Sequence, residues 1–285
     1  MTEPQVASDY DDRTTAAVKK VLLEIGQILG SYQGKFAVIG GAVPWLLLDN
    51  PDTPHVGTFD IDLSLHAEAL GDGEYALLVE TLMGAGYEQR KDRRRFQLVR
   101  RVPASDDGAP AIDVLVDFLM PRDAEIVKNT PPLVADFAVQ RADRADLALK
   151  FYQLVAIDGP MPEGGANKVE IAVASIPALL AMKGFAIHGR HKQKDAYDIY
   201  YCVRNYPGGP GALAEVCKPL LEVKDGKTGF SRIAEKFDTI EGYGPTSVCK
   251  FVEEGHLLGE RTADQWQQDA FGQVDVWLRA LGLRT

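Results

Sequence analysis

The chain has 285 residues, of which 46% are hydrophobic and 25% charged, so it is long enough to bury a full hydrophobic core. Its formal net charge of -10 argues against a protein that coats nucleic acid without specificity, and its apolar runs are too short to span a membrane. Three widely spaced cysteines indicate a cytoplasmic protein with reduced, buried thiols.

The first half of the chain predicts helices that alternate with short strands. Apolar residues at helical spacing predict a first helix from Thr14 to Leu29, after an acidic tail over residues 1–12 that we expect to be flexible. Apolar runs bounded by glycine, proline and polar residues indicate the next elements. These are a strand over KFAVIGG, a helix over 42–48, a strand over 57–65, a helix over GEYALLVETLMGAG, and strands over the arginine-rich segment 87–101 and over 111–119.

The second half of the chain becomes mainly helical. The segments DLALKFYQLVAID and NKVEIAVAS predict two strands joined by a loop, or a helix followed by a strand. Ser175 as the N-cap and Pro177 in the first turn predict a helix to about His188. KDAYDIYYCVRNY predicts a second helix, which PGGPG ends. From about Ala212 onward we expect helices, interrupted by a turn at KDGKTG.

Asp60 and Asp62 lie two residues apart in the predicted strand GTFDIDLSL. Alternate side chains of a strand face opposite sides, so the two carboxylates share one face, about 6–7 Å apart at their Cα atoms. Asp113 and Asp117 share a face of a later strand for the same reason. Like charges this close repel each other unless a cation neutralises them, and Mg²⁺ prefers carboxylates together with phosphate oxygens and water. The pattern therefore predicts a magnesium site.

Two further groups suit phosphoryl transfer. The Gly40-Gly41 turn allows the backbone to approach a triphosphate closely, with helix N–H donors directly after it. A predicted helical pair carries four charged residues, Lys183, Lys194, Asp195 and Asp198. Lysines placed there take up charge on a departing pyrophosphate. Taken singly, these motifs are more often an exposed strand face, a turn and an i,i+4 salt bridge. Their order along one chain predicts metal-assisted transfer, in which two Mg²⁺ ions can act together.

These motifs resemble a known family. Gly40-Gly41-Ala42, then TFDIDL, then LLAMKGFAIHGRHKQKDAYDIYY are similar to the motifs of the AbiEii/AbiGii toxin-type (MenT-like) nucleotidyltransferases of the polymerase β-like superfamily. The resemblance covers roughly residues 15–206. It implies an α/β fold, with a nucleotidyltransferase core over 13–135 built on a mixed twisted sheet. It also implies a mixed, then mainly helical C-terminal region over 136–285 that completes the site.

The resemblance also implies roles for these residues. Asp60 and Asp62 would bind Mg²⁺, with Asp117 or alternatively Asp113 as the third carboxylate. The roles that the resemblance assigns to the remaining motif residues are catalysis for Lys183, Asp195 and Asp198, and nucleotide binding for Gly40, Gly41, Lys183 and Lys194. Many members of the family carry Ser or Thr where this chain has Ala42, so one phosphate-contacting hydroxyl is replaced.

The implied activity is pyrophosphate-releasing transfer of a nucleoside monophosphate from an NTP to an acceptor. RNA such as tRNA is the acceptor that the family suggests, held by the region of Arg93, Arg94 and Arg95, with an antitoxin as partner and no membrane. One alternative is a small-molecule acceptor, as in antibiotic-modifying nucleotidyltransferases, which the net acidity favours because aminoglycosides are cationic. The other is a nucleotide-binding module without turnover, against which the intact Asp60 and Asp62 argue.

Overall fold

The structure is a computed structural model that describes residues 6–48, 50, 54–66, 69–70, 73–104, 109–121, 140–142 and 144–285. The chain divides into two compact units. The sheet unit comprises the described residues of 12–43 and 57–175, and the helical unit comprises those of 1–11, 44–56 and 176–285. The chain passes between the units after residues 11, 43, 56 and 175, and the second of these crossings lies within helix α2 (Ala42–Leu47).

The sheet unit contains most of the strand-forming sequence. Its elements in chain order, with α2 counted in the numbering, are α1 (Asp12–Ile28), β1 (Phe36–Ile39), β2 (Asp60–Leu65), α3 (Glu74–Gly84), β3 (Tyr87–Glu88), β4 (Gln97–Val102), β5 (Ile112–Pro121), β6 (Gln140–Ala142), α4 (Asp146–Lys150), β7 (Tyr152–Pro160) and β8 (Ala166–Ala174). The strands form one mixed sheet in the order β3-β4-β5-β2-β1-β8-β7, with β6 paired to β5. β2 and β5 are parallel neighbours, whereas β1 and β4 run antiparallel to β2 and β5 respectively.

The two faces of β2 carry different chemistry. Ile61, Leu63 and Leu65 are fully buried, as their alternation predicts. Helix α1 contacts β2, β4, β5, β7 and β8, and the buried Arg100 of β4 bonds Glu24 of α1. Arg100 alternates with Gln97, Val99 and Arg101 along β4, so α1 covers the face opposite the β5 aspartates. This confirms the predicted α/β fold with a mixed sheet, and it places the β5 aspartates on one face of that sheet and α1 on the other.

The helical unit is built from amphipathic and buried helices. They are α5 (Ile176–Gly189), α6 (Gln193–Asn205), α7 (Gly209–Leu221), α8 (Lys224–Lys236), α9 (Tyr243–Glu254) and α10 (Ala263–Ala280). The fully buried Trp277 packs edge-on against Phe230, with ring centroids 5.4 Å apart. Within the described ranges, no helix combines the length and the apolar character needed to cross a membrane.

The predicted turn at KDGKTG is wrong, because these residues form the first half of α8. The glycines serve helix packing instead. A Cβ at Gly229 would lie 2.2 Å from the Ala181 backbone oxygen, and one at Gly184 would lie 1.9 Å from the Gly229 oxygen. Only glycine at both positions allows the backbones of α5 and α8 to approach this closely.

Three segments differ in detail from their predictions. Residues 146–174 were predicted to form either two strands or a helix followed by a strand. They contain elements of both alternatives, since helix α4 precedes the antiparallel β7–β8 hairpin. The arginine-rich segment is strand only at its two ends, and residues 89–96 connect β3 to β4. Residues 7–9, in the segment expected to be a flexible tail, form a short 3₁₀ turn with Ala7 buried, close to Gly255. Part of the predicted loop PASDDGAP, residues 105–108, lies outside the described residues.

Candidate active site

Three aspartates lie together on neighbouring strands of the sheet unit. The parallel register of β2 and β5 places Asp62 opposite Asp117 and Asp60 opposite Leu115. Paired residues of neighbouring strands project to the same face, so Asp60, Asp62 and Asp117 share one side of the sheet. Asp60 and Asp62 are half-buried, and Thr58 Oγ1 donates a hydrogen bond of 3.0 Å to Asp60 Oδ1.

Asp117 is the most buried of the three aspartates, with 7% of its surface exposed. Gln97 Nε2 donates a hydrogen bond of 2.8 Å to Asp117 Oδ1, and Gln97 Oε1 accepts one of 3.1 Å from the backbone N–H of Arg94. Burial and then the charge of Asp60 raise the pKa of Asp117 to about 7, against the opposing effects of Gln97 and Arg94. Gln97 therefore hydrogen-bonds both the backbone of the connection between β3 and β4 and the carboxylate of Asp117.

Asp113, the alternative third carboxylate, has a different partner. Its carboxylate accepts hydrogen bonds from Arg90 Nη1 at 2.5 Å and from Nη2 at 3.3 Å, and it lies opposite Arg101 in the sheet. Asp117 is the carboxylate in register with Asp62. The geometry thus favours Asp117 over Asp113 as the neighbour of the Asp60–Asp62 pair.

Gly40 lies against the Asp62 carboxylate. Its backbone has φ = +74°, and a Cβ there would lie 2.0 Å from Asp62 Oδ2. Both the left-handed backbone and the close approach of Asp62 require glycine. Ile39, which precedes it, is the register partner of Asp62, so β1 ends beside the aspartate pair.

The donor set fits a hard divalent cation, because carboxylate oxygens are the ligands that Mg²⁺ takes together with substrate phosphates and water. Burial and then the charge of Asp60 raise the pKa of Asp117, and a bound cation would oppose both effects. Among the described residues, however, no group of three or more His, Cys, Asp or Glu side chains is arranged to hold a metal ion. The three-carboxylate site therefore stays a prediction, and a site formed by two aspartates and phosphate oxygens is compatible with the observed placement.

The helical unit brings its four predicted residues into one buried ion network. Lys183 Nζ lies 2.7 Å from Asp195 Oδ1 and 2.7 Å from Asp198 Oδ2. Lys194 Nζ lies 2.9 Å from Asp198 Oδ1. Asp195 and Asp198 have no exposed surface, and each lysine has less than a tenth of its surface exposed.

Burial and charge act in opposite directions on these groups. Burial alone would lower the pKa of Lys183, but the charges of Asp195 and Asp198 outweigh it and raise the pKa. For Lys194 burial prevails, and its pKa is lowered. Burial would raise the pKa of Asp198, yet the two lysines hold it well below its ordinary value. Lys183 and Asp198 therefore favour each other's charged forms, and each of the two carboxylates is bonded to at least one cationic side chain.

Two members of the network, His55 and Arg190, were not predicted from the sequence as site residues. His55 is fully buried, its Nε2 lies 3.0 Å from Asp198 Oδ1, and burial lowers its pKa to about 4. Arg190 bonds both oxygens of Asp195, at 2.8 and 3.0 Å, while 57% of its side chain is exposed. Helical spacing indicated that Lys194 and Asp198 lie on one side of a helix. No sequence pattern links His55 to Asp198, which lies 143 residues later. Gln97 was missed for the same reason, because only strand pairing places it beside Asp117.

The predicted RNA contacts lie in the connection between β3 and β4. Arg94 and Arg95 are exposed and Arg93 is partly exposed. Arg100, in the same basic segment, is 7% exposed and bonds Glu24 and Glu163, so it belongs to the fold of the sheet unit. The exposed part of the basic segment is therefore its middle, beside Gln97 and Asp117.

A mixed sheet that carries aspartates side by side on parallel strands, with a glycine turn packed against one of them, is the arrangement of a nucleotidyltransferase-like fold. The sequence model of one family, described as nucleotidyl transferase AbiEii toxin, Type IV TA system, matches residues 57–272. This is more than half of the chain, and the chain belongs to that family. No curated protein matches the chain.

The matched range corrects the extent of the resemblance that the motifs suggested, roughly residues 15–206. It includes the C-terminal helices as far as residue 272, which carried no recognisable motif. It begins at residue 57, so Gly40 and Gly41 lie outside it, whereas Asp60, Asp62 and the Lys183 network lie inside.

Proposed function

We propose that this nucleotidyltransferase toxin domain transfers a nucleoside monophosphate from an NTP to an RNA acceptor such as tRNA, in a reaction that depends on Mg²⁺. An acceptor hydroxyl oxygen forms a bond to the α-phosphorus, the bond from that phosphorus to the bridging oxygen breaks, and pyrophosphate leaves. The hydroxyl proton passes to solvent. In keeping with the type of system that the family description names, an antitoxin opposes the activity.

The observation that carries the proposal is the aspartate pair of β2 in register with β5. Asp60 and Asp62 hold the metal, with Asp117 beside Asp62 as the third carboxylate. When bound, Mg²⁺ supplies positive charge to the phosphate oxygens. Gly40 has no Cβ to collide with the Asp62 carboxylate, and the absence of a side chain at this turn supports close approach of the triphosphate to its backbone.

In this proposal the lysines of the helical unit supply charge to the nucleotide phosphates. Lys183 and Lys194 are the phosphate contacts in this proposal, and they keep 8% and 5% of their surface exposed. Asp195 and Asp198 are positioning residues, because they have no exposed surface and hold the ammonium groups at 2.7–2.9 Å. This assignment narrows the earlier expectation that these two aspartates are catalytic.

The acceptor assignment rests on the exposed arginines. Arg94 is exposed, and its charge acts on Asp117, so it lies within electrostatic reach of the carboxylates. Cations beside a metal-binding face suit the phosphates of an RNA end. The net charge of -10 favours a cationic small molecule instead, and an aminoglycoside is therefore the competing acceptor in the experiment.

The test incubates the purified protein with each α-labelled NTP, Mg²⁺ and either total RNA or kanamycin, and follows the label by gel and by thin-layer chromatography. We expect label on RNA, dependent on Mg²⁺. Asp62→Asn should reduce transfer at least about a hundredfold, since metal stabilisation is worth several kcal/mol and 1.36 kcal/mol is tenfold. Its fold should be intact or slightly more stable, because one of two repelling charges is removed.

Asp158→Asn is the matched control, since Asp158 is an exposed aspartate of β7 in the same sheet. It should transfer at the wild-type rate. Label on kanamycin but not on RNA would replace the acceptor, and equal rates for Asp62→Asn and wild type would refute the metal assignment. Failure of every NTP to label any acceptor would favour a nucleotide-binding module without turnover.

A further inference from the structure

Strand β7 forms one edge of the sheet. It lies at the end of the strand order, and among the described residues it pairs with β8 alone. Natural edge strands are usually short or carry charges, prolines or bulges, because their unpaired backbone groups otherwise pair with another chain. β7 spans nine residues, of which 152–157 are uncharged, and its single charge, Asp158, and its single proline, Pro160, lie near its end. The edge is therefore open to a further strand.

The backbone groups of the even-numbered residues of β7 point away from the sheet. The carbonyl of Phe151 accepts a hydrogen bond of 2.9 Å from the backbone N–H of Ser175, which follows β8. Phe151 therefore directs its backbone groups towards the β8 side, and along a strand this direction alternates from one residue to the next. Tyr152, Leu154 and Ala156 consequently direct their N–H and C=O groups to the open edge, where a further strand would bond them.

The side chains of these three residues are exposed and largely apolar. Tyr152 has 44% and Leu154 50% of its surface exposed, and Ala156 is also exposed. Charged residues flank them at both ends. Lys150 precedes β7 with 64% of its side chain exposed, in an i,i+4 pair of a kind that contributes little, and Asp158 is exposed near the other end. At every second position, the segment thus runs from a cation through three largely apolar residues to a carboxylate.

We propose that β7 pairs antiparallel with the β7 of a second copy of this chain, about a twofold axis at Leu154. In this register Leu154 lies opposite its own counterpart, and Tyr152 lies opposite Ala156 of the second copy. Three residue pairs then exchange two backbone hydrogen bonds each, about six in all. The same register brings Lys150 opposite Asp158 at both ends, and opposite charges on facing strands stabilise their pairing. This contact is independent of the proposed transfer reaction.

The charge pattern selects this register, and it selects a second copy as the partner. An axis at Ala156 would place Leu154 opposite Asp158, and an axis at Val155 would place Tyr152 opposite the same carboxylate. Of the registers that pair the outward-pointing residues, only the axis at Leu154 brings the cation opposite the carboxylate. A charge order that is complementary to itself when reversed suits a copy of the same strand. A single added strand is smaller than a standard interface, so we expect a weak dimer of micromolar affinity.

The test follows the molar mass of the full chain by sedimentation velocity from about 1 to 300 µM, a range that spans a dimer of micromolar affinity. We expect the mass to rise with concentration from 31.2 kDa towards twice this value. Leu154→Lys brings two like charges together on the twofold axis and should weaken association at least about tenfold. Leu77→Lys is the matched control, because Leu77 is a similarly exposed leucine of α3, and this variant should associate as the wild type does.

Exchange of the two charges tests the register. Lys150→Glu and Asp158→Lys should each weaken association about two- to tenfold, because like charges then face each other. The double exchange should restore wild-type association, since opposite charges meet again. The aspartates of β2 lie three strands from β7, so these variants should keep the wild-type transfer rate. A monomer at every concentration, a dimer that Leu154→Lys leaves unchanged, or single losses that the double exchange does not restore would overturn the proposal.

Discussion

Removal of the Lys183 ammonium group should destabilise the protein strongly. Lys183 is 8% exposed and lies 2.7 Å from each of two carboxylates that have no exposed surface. Removing one partner of a buried ion pair typically costs about 3–5 kcal/mol, because the remaining charge stays buried without compensation. Here Arg190 still bonds Asp195, and Lys194 and His55 still bond Asp198, so we expect Lys183→Met to lie near the lower end, at about 3 kcal/mol.

The measurement is the melting temperature of the purified variant. One kcal/mol shifts the melting temperature by about 2–4 °C in a protein of 150–250 residues, so a fall of roughly 6–12 °C is expected. Lys218→Met is the control, because Lys218 pairs with Glu215 on the surface with 54% of its side chain exposed. Such pairs contribute little, and this variant should melt close to the wild type. Asp195→Asn added to Lys183→Met should restore part of the loss, since it removes one of the two buried carboxylates that lost the Lys183 ammonium group.

A melting temperature for Lys183→Met within 2 °C of the wild type would refute the ion network as placed. The transfer rate, measured well below the lowered melting temperature, tests the second role of this lysine. If Lys183 also contacts the leaving phosphates, the rate should fall about a hundredfold, the scale of one preorganised electrostatic donor. A wild-type rate with a lowered melting temperature would assign Lys183 to the fold alone.

Three further predictions concern single positions. Gly40→Ala should abolish transfer and lower the melting temperature, because its Cβ would lie 2.0 Å from a carboxylate oxygen; Gly34→Ala, also at positive φ but with open space, isolates the backbone cost. Gly184→Ala should cost about 1–3 kcal/mol by forcing α5 from α8, whereas Gly189→Ala in the same helix meets no atom and should melt as the wild type or higher. His55 has a pKa of about 4 when folded and about 6.5 when unfolded, so the unfolded chain binds more protons between these values. The contribution of His55 to stability should be complete above pH 6.5 and be lost, by at most about 3 kcal/mol, towards pH 4. The raised pKa of Asp117 acts in the opposite direction, so the difference between the wild type and His55→Gln in urea titrations isolates the contribution of His55.

Sequence patterns predicted the helices and strands whose formation depends on neighbouring residues. The helix from Thr14 to Leu29 appears as α1, and the strand with alternating aspartates appears as β2, starting at Asp60 rather than at residue 57. The buried helix with Lys183 and the helix that follows it were also predictable, because capping residues and apolar spacing act within a few residues of sequence. The burial of Lys183 agrees with the apolar residues on all sides of its helix.

The turn predicted at KDGKTG shows where local rules fail. Two glycines and polar neighbours favour a turn when only neighbouring residues are considered. In the structure the same glycines allow α8 to approach α5 so closely that a Cβ at Gly229 would lie 2.2 Å from a backbone oxygen. Contact with a helix some 45 residues earlier in the chain overrides the local preference, and no pattern within the segment reports that contact.

Side-chain alternation along β5 cannot distinguish Asp113 from Asp117, whereas the pairing of β5 with β2 does. Both aspartates lie on one face of β5, and alternation alone treats them alike. The register with β2 places Asp117, not Asp113, beside Asp62, and Arg90 neutralises Asp113. Asp117 instead accepts a hydrogen bond from the neutral Gln97 amide, and burial followed by the charge of Asp60 raises its pKa to about 7 despite this bond. A carboxylate that the fold leaves short of positive charge is the one that gains most from a cation, and this difference in partners is why Asp117 is the better candidate for the metal.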